Sequence, residues 1–110
     1  RQDFQEASAQ MLRGVAPVID YGQNFSNWGM LGLWQKGPFY EVAITGPNAK
    51  AHRQDMDTHY LPQSLFLGGN SGTLPLLEGK FLGGDNIFVC QNKVCQFPVN
   101  NVDEALEHLP

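Results

Sequence analysis

The sequence predicts an α/β protein: a small mixed sheet, built from a βαβ unit, a β-hairpin and a closing helix, preceded by an αα-hairpin. Three observations carry that expectation. Residues 39–68 read strand, helix, strand between Gly37-Pro38 and Gly68-Gly69; two strands joined through a helix should lie parallel, with a right-handed crossover. Residues 86–99 (NIFVCQNKVCQFPV) are two β-branched or aromatic runs around a polar turn, the pattern of a hairpin. Residues 4–34 place apolar side chains at helical spacing.

In chain order, Asp3-Phe4-Gln5-Glu6 has the form of a capping box, with Asp3 as N-cap and Glu6 three positions on. Phe4, Ala7, Met11, Leu12, Val15, Val18 and Ile19 follow at helical intervals, and Pro17 should kink or break that helix. Phe25 to Trp34 is apolar on nearly every side, which predicts a helix buried by more than one neighbour. Gly29 and Gly32 would let another backbone approach it. Phe39 to Thr45 is apolar apart from Glu41, as a central strand is. Gly46-Pro47-Asn48 turns into a helix expected from Ala49 to Tyr60, and Ser64 to Gly68 is the second strand. Leu74 to Leu77 reads as a short turn over the core. Asn101 to Glu104 repeats an N-cap signal, with Val102, Ala105, Leu106 and Leu109 on one face of the last helix. The helical hairpin takes residues 1–36 and the α/β part residues 37–110.

Composition narrows the function classes. A chain of 110 residues with 42% hydrophobic residues can bury a core. A net charge of -4 and a pI near 5.1 argue against a nucleic-acid partner, which calls for a basic surface. No apolar run reaches membrane-spanning length, so no membrane partner is expected. Two cysteines are too few for a disulfide scaffold, and C-x4-C alone is too few ligands for structural zinc. The chain opens at Arg1 without a signal-like segment, the mark of a processed or excised piece, and a cytoplasmic setting is favoured. No fingerprint calls for a cofactor.

If Asn92-Lys93 is a two-residue turn, Gln91 faces Val94, Cys90 faces Cys95 and Phe88 faces Phe97. Lys93 is an uncomfortable second turn residue, so a longer loop is the alternative. In the two-residue register the cysteine Cα atoms sit ~4.5 Å apart, at the short end of disulfide geometry. A bond there would add roughly 2 kcal/mol by loop entropy. Cys90 and Cys95 are therefore either a redox pair or two reduced thiols packed as small apolar side chains. The thiols are favoured, because only Lys93 stands near enough to lower a thiol pKa.

Gly46, Asn48 and Lys50 lie where a strand runs into a helix N-terminus, a place that can hold an anion through free N–H groups. Pro47 removes one donor and no glycine fingerprint is present, so a capped turn is the better reading. His52, Asp55 and His59 share one side of the middle helix, but among Arg53, Gln54 and Asp57 they read as a solvated face and not as metal ligands. Glu41 is a carboxylate on a central strand, more in keeping with a sheet edge or an ion pair than with catalysis. Trp28 and Trp34 read as core, not as a platform for a sugar. No facing carboxylate pair is suggested by the spacing of Glu41, Asp55, Asp57, Glu78 and Asp85.

The order strand, helix, strand, loop, hairpin, helix is similar to a thioredoxin-like core, with a small Rossmann-like sandwich as the competing fold. Where a thioredoxin carries C-x-x-C, this chain has Gly46-Pro47-Asn48-Ala49-Lys50. Closer resemblance lies in Tyr40 to Gly46 (YEVAITG), Tyr60-Leu61-Pro62, Pro75 to Lys80 (PLLEGK) and Phe88 to Val99 (FVCQNKVCQFPV). These stretches resemble the C-terminal end of thioredoxin-domain-containing proteins of the spermatogenesis-associated type, whose bacterial members are described as N-acylglucosamine 2-epimerase-like. The resemblance covers residues 39 to 110. It implies an upstream thioredoxin-like domain and a central α/α toroid like the six-hairpin glycosidases, to which the first two helices would belong. The toroid of the same parent chain is then the expected partner, and the C-x-x-C and any sugar cleft lie outside these residues. Cys90 and Cys95 match the family's cysteine pair, and no catalytic residue carries over. The expectation is a non-catalytic C-terminal domain packing on the toroid. The alternatives are a thiol-redox element using Cys90 and Cys95, or part of a carbohydrate-active, epimerase-like protein.

Overall fold

The computed structural model describes residues 1–110, which form two compact units, Arg1–Pro38 and Phe39–Pro110. The first holds helix α1 (Gln2–Val15), a 3-10 turn (Ala16–Val18) and helix α2 (Ser26–Lys36). The capping box does not form. Arg1 is the N-cap and makes no side-chain cap, while Asp3 turns back onto the Arg1 guanidinium at 2.6 Å. The Arg1 guanidinium is the main partner of the Asp3 carboxylate, with the Phe4 backbone N–H a lesser one. Pro17 has the expected effect: α1 stops at Val15 and the tighter turn carries the chain through the proline.

Helix α2 departs from expectation in its burial. None of its residues is buried, and Met30, Leu33 and Trp34 are exposed, Leu33 by 63%. Gly32 faces the Leu12 side chain, with 3.8 Å of room for a Cβ, and Gly29 has no neighbour within 4 Å. A two-helix unit has one shared seam, so an all-round apolar helix leaves most of its circumference in water.

The second unit is a four-stranded mixed sheet in the order β2-β1-β3-β4. Its strands are β1 (Tyr40–Thr45), β2 (Ser64–Gly69), β3 (Asn86–Gln91) and β4 (Val94–Cys95); its helices are α3 (Ala49–Met56) and α4 (Val102–Glu107). β1 and β2 pair in parallel through α3, as the crossover predicts, and β1 pairs antiparallel with β3. Only that one pair is parallel, so the doubly wound sheet of a Rossmann-like sandwich is absent. β1 is central, and Val42, Ala43, Ile44 and Thr45 are buried on both of its faces.

Alternation along the strands sorts the core into two layers. Val42, Ile44, Ile87 and Val89 pack with Ala49 and Met56 of α3 and with Val102, Ala105 and Leu109 at α4. Ala43, Phe88 and Cys90 face the other way, onto Leu77 in a 3-10 turn (Pro75–Leu77). Two helices thus cover one face and a single turn covers part of the other. α3 ends at Met56, short of the expected Tyr60: Thr58 and His59 form tight backbone turns to Asp55 and Met56, and the Thr58 hydroxyl donates to the Asp55 carbonyl. A side chain that offers the backbone an alternative bond favours an end over another turn. Asn101 caps α4 as expected, its side-chain oxygen accepting from the Glu104 N–H at 2.9 Å.

Candidate functional site

Two places gather the chemistry of the α/β unit. The first is the N-terminus of α3. Gly46 leaves β1 with φ +115, and a Cβ there would stand 2.4 Å from the Gly84 carbonyl oxygen. Only glycine allows both the angle and the approach. That contact brings Asp85 onto the start of the helix. Its Oδ1 accepts from the Asn48 backbone N–H and its Oδ2 from the Asn48 side-chain amide, each at 2.8 Å. His52 Nε2 lies 3.8 Å from the same Oδ2. The Asn48 amide above all, then its backbone N–H, with His52 adding a smaller pull, hold the Asp85 carboxyl below the usual carboxylate range.

The position predicted for an external anion is therefore taken by the chain's own carboxylate. Gly46 lies against the loop, Asn48 is bonded to Asp85, and Lys50 is exposed. Asp85 is the residue that sequence reasoning missed. Its spacing from the other carboxylates suggests no facing pair, and its actual partner, Asn48, lies 37 residues away. An open hollow of about 620 Å³ adjoins it, lined by Gly83, Gly84, Asp85, Asn86, Asn100 and Glu104. His52, Asp55 and His59 do not converge: His52 turns to Asp85, Asp55 is exposed, and His59 lies beyond the end of the helix. No three His, Cys, Asp or Glu residues come together in a metal-binding group. Lys80 reaches back over the Phe88 ring, 5.7 Å from its centre, and donates to the Leu76 carbonyl.

The second place is the hairpin. Asn92 and Lys93 both take positive φ, 52 and 67, so the turn is the two-residue kind and the longer loop is not used. The turn fixes Cys90 directly opposite Cys95 and Gln91 opposite Val94. The cysteines are joined in a disulfide, with Cα atoms 3.9 Å apart and no free thiol left in the chain. The favoured expectation of reduced thiols is corrected on this point. The register that the turn predicts places the two cysteines opposite one another in a non-hydrogen-bonded pair, and that proximity outweighs the lack of a cation to lower a thiol pKa.

Past Gln96 the register changes. Val89 still receives the Gln96 N–H, but Ile87 pairs with Val99, so Phe97 and Pro98 together oppose Phe88. That is a β-bulge, and it turns Phe97 out, 92% exposed, in place of the expected Phe88–Phe97 pair. Pro98 has no N–H with which to continue the ladder.

The two cysteines differ sharply in setting. Cys90 is 1% exposed and part of the core, whereas Cys95 is on the surface. Glu41 is the register partner of Cys90 on the other side, in β1. It is partly buried and has no ion pair with a lysine or arginine. The row Leu65, Glu41, Cys90, Cys95 thus crosses all four strands. No family model, curated protein or solved structure matches this chain.

Proposed function

We propose that this chain is a non-catalytic accessory module whose α/β unit is the folded body and whose helical pair is a docking element. The single observation that carries the reading is burial: no residue of α1 or α2 is buried, and Phe4, Met11, Met30 and Leu33 are all exposed. Apolar side chains at this density on a helix are normally covered, and scattered surface residues do not produce it. The fitting partner is another helical surface. The resemblance noted above supplies one, the α/α toroid of a thioredoxin-domain-containing parent chain. A photo-crosslinking residue at Leu33, in the protein as its own cells make it, tests this. Crosslinks into helical segments of the same polypeptide are expected; Leu33 left uncrosslinked, or joined to unrelated proteins at random, overturns it.

A second reading is favoured by one specific observation, the disulfide that presents Cys95 while hiding Cys90. In this reading the hairpin is a thiol-redox element. An incoming thiolate meets the exposed residue, Cys95, and not the buried one, which is the asymmetry that exchange chemistry uses. Titration against a glutathione series, with trapped thiols counted by mass, should show a reversible two-electron transition. A bond that stays closed through the whole series removes the reading.

A further inference from the structure

Resting on the redox reading of the hairpin, we propose that Glu41 is the proton acceptor and donor for Cys90 when the Cys90–Cys95 pair exchanges with disulfides or dithiols arriving at Cys95. Three observations lead there. Glu41 stands directly opposite Cys90 in the β1/β3 ladder. Directly opposed residues of an antiparallel pair share a face and hold their Cβ atoms about 4.5–5.5 Å apart. Cys90 is 1% exposed in the bonded form, so a thiol proton at that position has little direct path to bulk solvent. And Glu41 makes no ion pair with a lysine or arginine, so no fixed cation occupies its carboxylate.

The other neighbours on this face do not compete. β2 offers Leu65 and Leu67, the 3-10 turn offers Leu76 and Leu77, and β4 offers Cys95. Lys80 is the charged side chain over the same layer, and its amine is held by the Leu76 carbonyl beside Phe88. Lys93 lies at the turn, outside the strands.

In the reduced form, the Cys95 thiolate attacks one sulfur of a disulfide R–S–S–R; a Cys95–S–R bond forms and RS⁻ leaves, taking a proton from solvent. Cys90 then passes its thiol proton to the Glu41 carboxylate, and its thiolate attacks the Cys95 sulfur. The Cys90–Cys95 bond closes, the second RS⁻ leaves, and Glu41 returns the proton to solvent or to that thiolate. Two electrons pass from the cysteine pair to R–S–S–R, which becomes two thiols. In the other direction one thiolate of a dithiol attacks Cys95, the Cys90–Cys95 bond breaks, and Cys90 takes the proton that the attacking thiol released, by way of Glu41. The dithiol's second thiolate then attacks its own sulfur in the mixed disulfide, closing the reductant's disulfide and releasing Cys95 as a thiolate. The attacking thiol must be the exposed one, and a buried thiol in low dielectric beside a carboxylate stays protonated until a base removes its proton.

The experiment uses the whole 110-residue chain, reduced with dithiothreitol and reoxidised with glutathione disulfide across pH 6 to 9. Acid quenching and mass measurement follow the mixed disulfide and the closed pair separately. In Glu41→Gln, glutathione should load onto Cys95 at the wild-type rate, while closure of the ring slows by roughly tenfold or more near neutral pH. Glu41→Asp should recover part of the rate. In the wild type, closure should keep a fast component below the thiol's own titration range, a readout that needs no variant to fold. Closure in Glu41→Gln at the wild-type rate and pH profile, or faster, overturns the role of Glu41 while the redox reading stands. A hairpin that never accepts glutathione and never reopens overturns both.

Discussion

Both oxygens of Asp85 are committed to Asn48, and the arrangement can be followed in pH. Each bond favours the ionised form, so the folded carboxyl titrates below the ~3.9 of an unfolded aspartate. A depressed folded value means the stabilisation is fully present above about pH 4 and is lost as pH falls through the folded pKa. Asp85→Asn should therefore lower the urea midpoint at pH 7, and the gap to wild type should narrow steadily from pH 4 to pH 2. A gap that stays constant across that range would show that the charge plays no part. Gly46 permits this lock, since a Cβ would also meet Asp85 itself at 2.7 Å. Neither residue announces the other in the sequence, because the pairing depends on a tertiary turn and not on spacing.

Elements were more legible than their contacts. The Asn92 turn, the central place of β1 and the Asn101 cap each follow from residue chemistry acting within a few positions. What escaped were competitions. Asp3 could cap a helix or pair with Arg1, and it pairs. Phe97 could continue a strand, but the proline beside it brings in a bulge. Thr58 could extend α3, yet its hydroxyl helps to close it. The disulfide belongs with these, since the register that makes it was readable while its occupancy was not. Helix α4 has only six residues, so its cap matters more than in a long helix. Asn101→Ala should cost about 1 kcal/mol in urea unfolding, and Asn101→Asp should retain most of the stability. Equal losses in both would assign the effect to something other than the bond to Glu104.

Both layers of core lie within residues 39–110, and no residue of α1 or α2 is fully buried. A polypeptide of residues 39–110 should therefore fold by itself, with a cooperative thermal transition within a few degrees of the whole chain's. Broad, non-cooperative melting of the shorter polypeptide would contradict that reading of the core. The bond in the hairpin joins positions only five apart. Opening it restores roughly 2 kcal/mol of loop freedom to the unfolded chain and leaves the sheet its hydrogen bonds. Oxidised and reduced forms would then share one Stokes radius and one circular-dichroism spectrum. Gel mobility or scattering would score them as a single species, and only the mass of two hydrogen atoms, or an alkyl tag on sulfur, would tell a cell extract's two populations apart.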